Sequence, residues 1–274
     1  MSNHKLTSNL TLAFGNWLEV ADELPDTSVD MVLCDLPYGL THHYWDSIIP
    51  LEKLWESYYR VCKPDASIVL FAAQPFTTVL AASNIAALKD DFVWVKNKVT
   101  GHLNARRKPL RKHEHVLVFR RLGCGTYNPQ MSTGHPPVHS FVKRFATSGD
   151  GTYGVERNRI SGGGSRLRFP TSVLEFATVN NNDSQRIHPN QKPIALLEHL
   201  IRTYSDLGDT ILDNTMGSGS TGLAAIRTGR NFIGIEKDRK YFDAAEEWLL
   251  SASCPEFPGW KQFDCIIPPA NSQE

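Results

Sequence analysis

The segment Thr210-Ile-Leu-Asp-Asn-Thr-Met-Gly-Ser-Gly-Ser-Thr-Gly222 runs from a short apolar strand through a glycine-rich turn into the start of a helix. Gly217, Gly219 and Gly222 fit the pattern Gly-x-Gly-x-x-Gly, and the next apolar run ends on an acid, Glu236, nineteen residues after Gly217. Glycine permits the tight turn and lets backbone approach a ligand closely. Strand, turn, helix and strand in this order predict a βαβ unit, and such a unit needs a parallel sheet.

The rest of the chain extends the alternation. Strands are expected at residues 10–14, 31–34, 68–73, 92–95, 116–119 and 232–236. Leu51, Leu54, Trp55, Tyr58 and Cys62 recur at helical spacing, with Pro64 closing that helix. Further helices are expected at residues 76–88, 221–228 and 241–250. Another opens at Pro193 and turns Ile194, Leu197, Leu200, Ile201 and Tyr204 inward. This predicts an α/β fold: a doubly wound, mainly parallel sheet covered on both faces, with its ligands at the carboxyl ends of the strands. Residues 122–187 break the pattern. They hold nine of the nineteen glycines and little helical period, as expected for an inserted, loop-rich lobe with a few short strands. The expected division is therefore 1–121, the insert 122–187, and 188–274 completing the first unit.

Charge is segregated. The chain carries 29 basic and 29 acidic residues, but residues 96–168 hold fifteen Lys or Arg against Glu114, Asp150 and Glu156. That block is +12 and the remainder −12. A polyanion-binding surface needs such a block, because neutralised phosphates release counterions; the plainer alternative is a solvated basic face. No apolar run reaches the roughly 18 residues of a membrane span, and the first fifteen residues lack the apolar core of a signal peptide. The five cysteines are scattered, with no Cys-x-x-Cys pair, so neither a disulfide framework nor a metal site is expected. These features point to the cytoplasm.

The glycine loop leaves its ligand open. An acid at Glu236 can accept hydrogen bonds from ribose hydroxyls, and the same spacing fits NAD. A P-loop does not fit, since Leu223 stands where its lysine belongs. Asp213 just before the loop would repel a pyrophosphate. It favours a ligand with a cationic centre, which tilts the choice to S-adenosylmethionine.

Cys34-Asp35-Leu36-Pro37-Tyr38-Gly39 ends another strand. Pro37 stiffens the turn and restricts Leu36 to extended backbone. The Asp35 carboxylate and Leu36 carbonyl then form a pair of acceptors, suited to the two hydrogens of an amino group on a planar base, with Tyr38 as a stacking ring. The bland alternative is a strand-ending turn with an incidental Asp. Cys34 is expected to be a buried strand residue. His42, His43 and Tyr44 are expected in a plain loop, His113 and His115 on a strand edge, and Trp55, Tyr58 and Trp248 in the core.

Asp35-Leu-Pro-Tyr38 resembles the Asp-Pro-Pro-Tyr motif of DNA amino-methyltransferases. His188-Pro-Asn-Gln-Lys-Pro193 resembles the segment those enzymes place before their cofactor loop. Met216-Gly-Ser-Gly-Ser-Thr-Gly222 resembles the loop itself, and Phe232-Ile-Gly-Ile-Glu236 the strand after it. This order, with the catalytic turn first, resembles the β group and covers nearly all of the chain outside the insert and tail. Three positions depart from the pattern: Leu36 for Pro, Asn214 where Pro is frequent, and Asn16 for the Asp of a Gly-Asp pair.

The resemblance implies methyl transfer from S-adenosylmethionine to an amino nitrogen of DNA. An Asp in first position resembles the adenine-N6 members; cytosine-N4 methylation is the alternative, and an NAD-dependent oxidoreductase the alternative from another class. The implied catalytic residues are Asp35, Leu36, Pro37 and Tyr38. The implied cofactor residues are Asn16, Lys192, Asp213, Asn214, Thr215, Gly217, Gly219 and Glu236. DNA is the implied partner, with no membrane, and a homodimer is compatible with it. Arg106, Arg107, Lys108, Arg111 and Lys112 are dense enough to track phosphates, and Arg157, Arg159, Arg166 and Arg168 are placed to read grooves or bases.

Overall fold

The computed structural model describes residues 3–7, 9–39, 48–137, 141–146, 157–180 and 191–252. In chain order these form β1 (Asn3–Thr7), β2 (Leu10–Phe14), α1 (Trp17–Val20), β3 (Val29–Asp35), α2 (Leu51–Val61), β4 (Cys62–Ala72), α3 (Phe76–Ser83), β5 (Leu88–Thr100), β6 (Arg111–Phe119), β7 (Phe141–Ala146), β8 (Arg157–Gly162), β9 (Val173–Glu175), α4 (Ile194–Tyr204), β10 (Thr210–Asp213), α5 (Ser220–Arg227), β11 (Asn231–Glu236) and α6 (Arg239–Ala252).

Nine strands join one sheet in the order β1-β2-β11-β10-β3-β4-β6-β5-β9. The run from β2 to β4 is parallel throughout. β6 is antiparallel to both of its neighbours, β4 and β5, while β9 is parallel to β5 and β1 antiparallel to β2. From β3 the chain winds outward to β4 on one side; from β10 it winds to β11 on the other. The direction of winding therefore reverses between β3 and β10, and a crevice opens at the carboxyl ends of two such strands.

Alternate side chains of each strand enter two separate cores. Val32 and Cys34 of β3 pack with α1, α2 and α3, whereas Met31 and Leu33 pack with α4, α5 and α6. Both faces are covered, which is why β3 reads as an unbroken apolar run and not as an alternating one. Leu54, Trp55, Tyr58 and Val61 form the buried stripe of α2. In α4, Leu196, Leu197, Leu200, Ile201 and Tyr204 are buried, while Ile194 is only partly so. Trp248 of α6 is likewise only partly buried, at the margin of its core.

Several boundaries differ from the sequence-based expectation. α2 ends at Val61, so Cys62 and Pro64 fall in β4. The helix expected to reach residue 88 ends at Ser83, because Leu88 is taken into the ladder opposite Phe119. β5 and β6 extend well beyond their apolar centres, since their outer residues are charged and exposed. β1 carries no apolar run to announce it. In the insert, β7 and β8 pair as a separate antiparallel hairpin, and β9 joins the edge of the main sheet. His42, His43, Tyr44 and residues 188–190 lie outside the described residues. No helix among the described residues is long and apolar enough to cross a membrane.

Candidate active site

β3 ends on Asp35 and β10 ends on Asp213, and the two strands are direct neighbours, with Ile211 opposite Met31 and Leu212 opposite Val32. Both acids open into one cleft of about 240 Å³, together with Asn16, Tyr38, Lys192 and Glu236. Thr215 ties the two strand ends together. Its backbone N–H donates to Asp213 Oδ1 at 3.1 Å, and its hydroxyl donates to the Asp35 carbonyl, also at 3.1 Å. The buried Cys34 thiol completes this link, with Sγ 2.9 Å from Thr215 Oγ1. Burial pushes the Cys34 thiol well up, so it stays protonated and is a poor nucleophile.

The Asp35 carboxylate is held at both oxygens. Tyr38 Oη donates to Oδ1, and the Lys192 ammonium lies 2.5 Å from Oδ2. Lys192 also sits 3.3 Å from Glu114 Oε2, and Lys96 pairs with the other Glu114 oxygen. Asp35, Lys192, Glu114 and Lys96 thus form a continuous chain of alternating charge that leads away from the cleft wall at Asp35 and Lys192. Burial pushes Asp35 above the ordinary carboxylate range, against the pull of Lys192. Burial alone would lower Lys192, but Asp35 and Glu114 outweigh it and hold the ammonium charged. Glu114 is held below its ordinary value: its own burial is outweighed by Lys192 and Lys96. The Tyr38 ring stacks on Phe76, with centroids 5.4 Å apart, and Leu36 and Pro37 line the same cleft.

The glycine turn is built for close approach. Gly217 and Gly219 adopt φ of +50° and +78°, and Gly219 caps α5. Glu236 supports this turn: Oε2 accepts from Gly217 N at 2.9 Å, and Oε1 from Asp238 N at 2.8 Å. Burial raises Glu236, and it raises the buried Asp213 to about 7. Asn214 accepts from Tyr58 Oη at 2.6 Å. Its amide nitrogen and the Trp17 indole nitrogen, both in residues that line the cleft, are buried without a hydrogen-bond partner. Asn16 accepts from Leu18 N at 3.2 Å and so starts α1.

The profile of the DNA methylase family with N6 and N4 specificity matches residues 29–247, which spans both strand ends and the insert between them. The chain belongs to the N6/N4 DNA methylase family. Type II methyltransferase M.HpaI from Haemophilus parainfluenzae is 27% identical, over 92% of this chain and 77% of its own length. Among solved structures, the cytosine-N4-specific PvuII DNA methyltransferase aligns with a TM-score of 0.64 at 17% identity, over 88% of this chain and 86% of that one. The M1.HpyAVI-SAM complex aligns with a TM-score of 0.58 at 23% identity, over 88% and 100%.

Two residues of the methylase's cleft network escape sequence reasoning. The neighbours of Glu114 suggest only a strand edge, yet it is the one acid between Lys96 and Gly149; a lone acid amid cations is a signal for a buried pair. Helical spacing places Tyr58 in the core, and its ring is buried there, but its hydroxyl also positions Asn214. Lys192, grouped by resemblance with the cofactor residues, directs its ammonium to Asp35 and Glu114.

The basic residues fall into distinct settings. Arg106, Arg107, Lys108, Arg111 and Lys112 are all exposed. Arg111 also donates to the Gln74 carbonyl at 2.9 Å, fixing the base of its loop against the end of β4. β8 carries Arg157 and Arg159, with Arg159 opposite Arg144 in the hairpin register. Arg166 is exposed, whereas Arg168 is half-buried and donates to the carbonyls of Ser165, Leu167 and Pro136, fastening the loop it belongs to.

Proposed function

We propose that the methylase transfers a methyl group from S-adenosylmethionine to the exocyclic N6 of adenine in DNA. The observation that carries this reading is the single cleft shared by Asp35 and Asp213, whose strand ends are joined through Thr215. An amino-holding turn and a cofactor turn must face one another for direct transfer, and this cleft supports that arrangement.

The residues on the cofactor side fit such a ligand. Asp213 supplies a carboxylate for a cationic centre, Glu236 keeps lone pairs for ribose hydroxyls, and the unpartnered Asn214 amide and Trp17 indole offer donors to a polar ligand. Asn16, Thr215, Gly217 and Gly219 complete that side. S-adenosylmethionine brings the methyl group on a sulfonium, activated for direct displacement.

On the other side, the adenine amino nitrogen is a weak nucleophile, because its lone pair is delocalised into the ring. Asp35 and the Leu36 carbonyl accept its two hydrogens and favour a pyramidal nitrogen with its lone pair free. The raised Asp35 carboxylate is then the nearest acceptor for the departing proton. Lys192 keeps a counter-charge beside it, and Tyr38, braced by Phe76, walls the base pocket. Positioning and electrostatics supply the rate, with no covalent enzyme intermediate. The amino group is inaccessible in a stacked duplex, so the base must be extruded.

Asp35 in first position supports adenine over cytosine, and Arg106, Arg107, Lys108, Arg111 and Lys112 supply the phosphate-tracking surface. Labelled methyl transfer into unmethylated DNA, followed by nucleoside digestion and mass spectrometry, tests the reading. N6-methyl-2′-deoxyadenosine is expected; N4-methyl-2′-deoxycytidine would move the base choice, and no labelled nucleoside would refute transfer to DNA.

A further inference from the structure

The loop between β5 and β6, with the strand ends that flank it, combines a run of cations with an exposed apolar side chain. Residues 96–113 contain Lys96, Lys98, Arg106, Arg107, Lys108, Arg111 and Lys112 and no acid. Amid these cations, Leu103 is 102% exposed, the most exposed large apolar side chain among the described residues. It sits on a 3-10 turn spanning His102–Asn104. The turn is folded by its own backbone: Asn104 N donates to the Gly101 carbonyl at 2.9 Å, Ala105 N to His102 at 3.1 Å, and Arg107 N and Lys108 N both to Asn104, at 2.8 and 3.0 Å. Gly101 enters at φ +92°, a conformation that favours glycine. The loop therefore presents Leu103 on a defined support.

Its place in the sheet matters. β6 brings Glu114 to Lys192, which lines the cleft and holds Asp35, so this strand is linked to the cleft through one ammonium group. Through β4, Asp35 aligns with Phe71 and then with Val116 of β6. The strand continues from Val116 to Arg111 toward the loop, about 16 Å at the usual rise per residue. Asp35 lies two strands away, about 10 Å sideways. The loop thus stands on the same carboxyl edge of the sheet as the cleft, at a distance from Asp35 comparable to the width of a duplex.

We propose that Leu103 is a wedge inserted between base pairs, filling the stack when the target base is extruded into the cleft, while Arg106, Arg107 and Lys108 hold the adjacent phosphates. Apolar side chains on basic supports unstack base steps in this manner. This inference rests on the DNA methyltransfer reading and deepens it.

A wedge assists a paired base and is dispensable for one that is already loose. Once the methylated sequence has been mapped, two duplexes carrying it are compared: one fully paired, the other with a mismatch at the target base. Leu103→Ala should lower kcat/KM on the paired duplex about 10- to 100-fold and recover to within about threefold of wild type on the mismatched one. Leu103→Met should behave as wild type, and the melting temperature of both variants should be unchanged, because the side chain packs against nothing. Equal loss on both duplexes, or no loss on the paired one, would overturn the wedge. Absence of any transfer by the wild-type chain would instead remove the methyltransfer reading beneath it.

Discussion

The ammonium of Lys192 lies 2.5 Å from the Asp35 carboxylate, joining the loop that precedes α4 to the end of β3. Lys192 is 9% exposed at its side chain and Asp35 25%, so the pair is shielded enough for each charge to depend on the other. Replacing Lys192 with Met leaves Asp35 beside Glu114 without its cation. A fully buried pair costs about 3–5 kcal/mol to break, and this partly exposed one should cost less. Burial and Glu114 both push Asp35 upward once Lys192 is gone. A proton acceptor must be ionised, so the acid limb of kcat/KM should move to higher pH in Lys192→Met. Chemical denaturation and a pH–rate profile check the two effects.

On the proposed reading, Asp35→Ala removes both an acceptor and the proton's destination. Methyl transfer should fall by about 10²- to 10⁴-fold, the usual worth of a positioned base. S-adenosylmethionine affinity, measured by calorimetry, should stay within about threefold of wild type. Turnover at the wild-type rate would refute the assigned role.

Asp213 bears on both stability and ligand affinity. Its folded value of about 7 exceeds the ordinary 3.8, chiefly through burial. The folded state therefore holds the proton more tightly than the unfolded chain. That contribution is fully present below about pH 4 and is lost as pH rises through 7. In Asp213→Asn this loss should vanish, so the variant's stability relative to wild type should be greater at pH 8 than at pH 5. A cationic ligand favours the ionised acid, so wild-type affinity for S-adenosylmethionine should rise from pH 6 to pH 8, and the variant's should stay flat. Thermal melts and calorimetry at the stated pH values read both trends.

A methyl group at Gly234 has no room. Its carbon would lie 2.4 Å from Met216 Sδ and 2.6 Å from the Phe232 ring. Overpacking of this kind costs about 1–3 kcal/mol, so Gly234→Ala should melt roughly 2–10 °C lower. Met216 opens the glycine turn, and its displacement should weaken S-adenosylmethionine binding as well.

Exposed cations on the β5–β6 loop should act through salt. Replacing Arg106, Arg107 and Lys108 together by Ala should weaken duplex binding and flatten the log–log salt dependence by about 0.9 per lost phosphate contact. An unchanged slope would mean that these residues do not touch the DNA backbone.

What the sequence revealed, and what it hid, follows the range of the interactions. The turn at Asp35 and the glycine loop are local: proline and glycine constrain backbone within a few residues, so their shape is written in a short stretch. The parallel sheet was legible because strands buried on both faces are continuous apolar runs. The link from Asp35 through Lys192 to Glu114 joins three distant segments, and only the tertiary fold brings them together. Tyr58 illustrates the same limit at one residue. Helical spacing correctly buried its ring but could not show that its hydroxyl ends at Asn214. The ends of β5 and β6 were hidden because charged, solvent-facing strand residues carry no apolar signal.

Asp35 and Asp213 are neighbours through the hydrogen-bonded ladder and not through the peptide that connects them. The intervening polypeptide adds β4, β5, β6 and β9 to the same sheet, and its Lys192 reaches back to Asp35. Among the described residues only the β7–β8 hairpin forms a sheet of its own, so its length can change while the two acids keep their spacing.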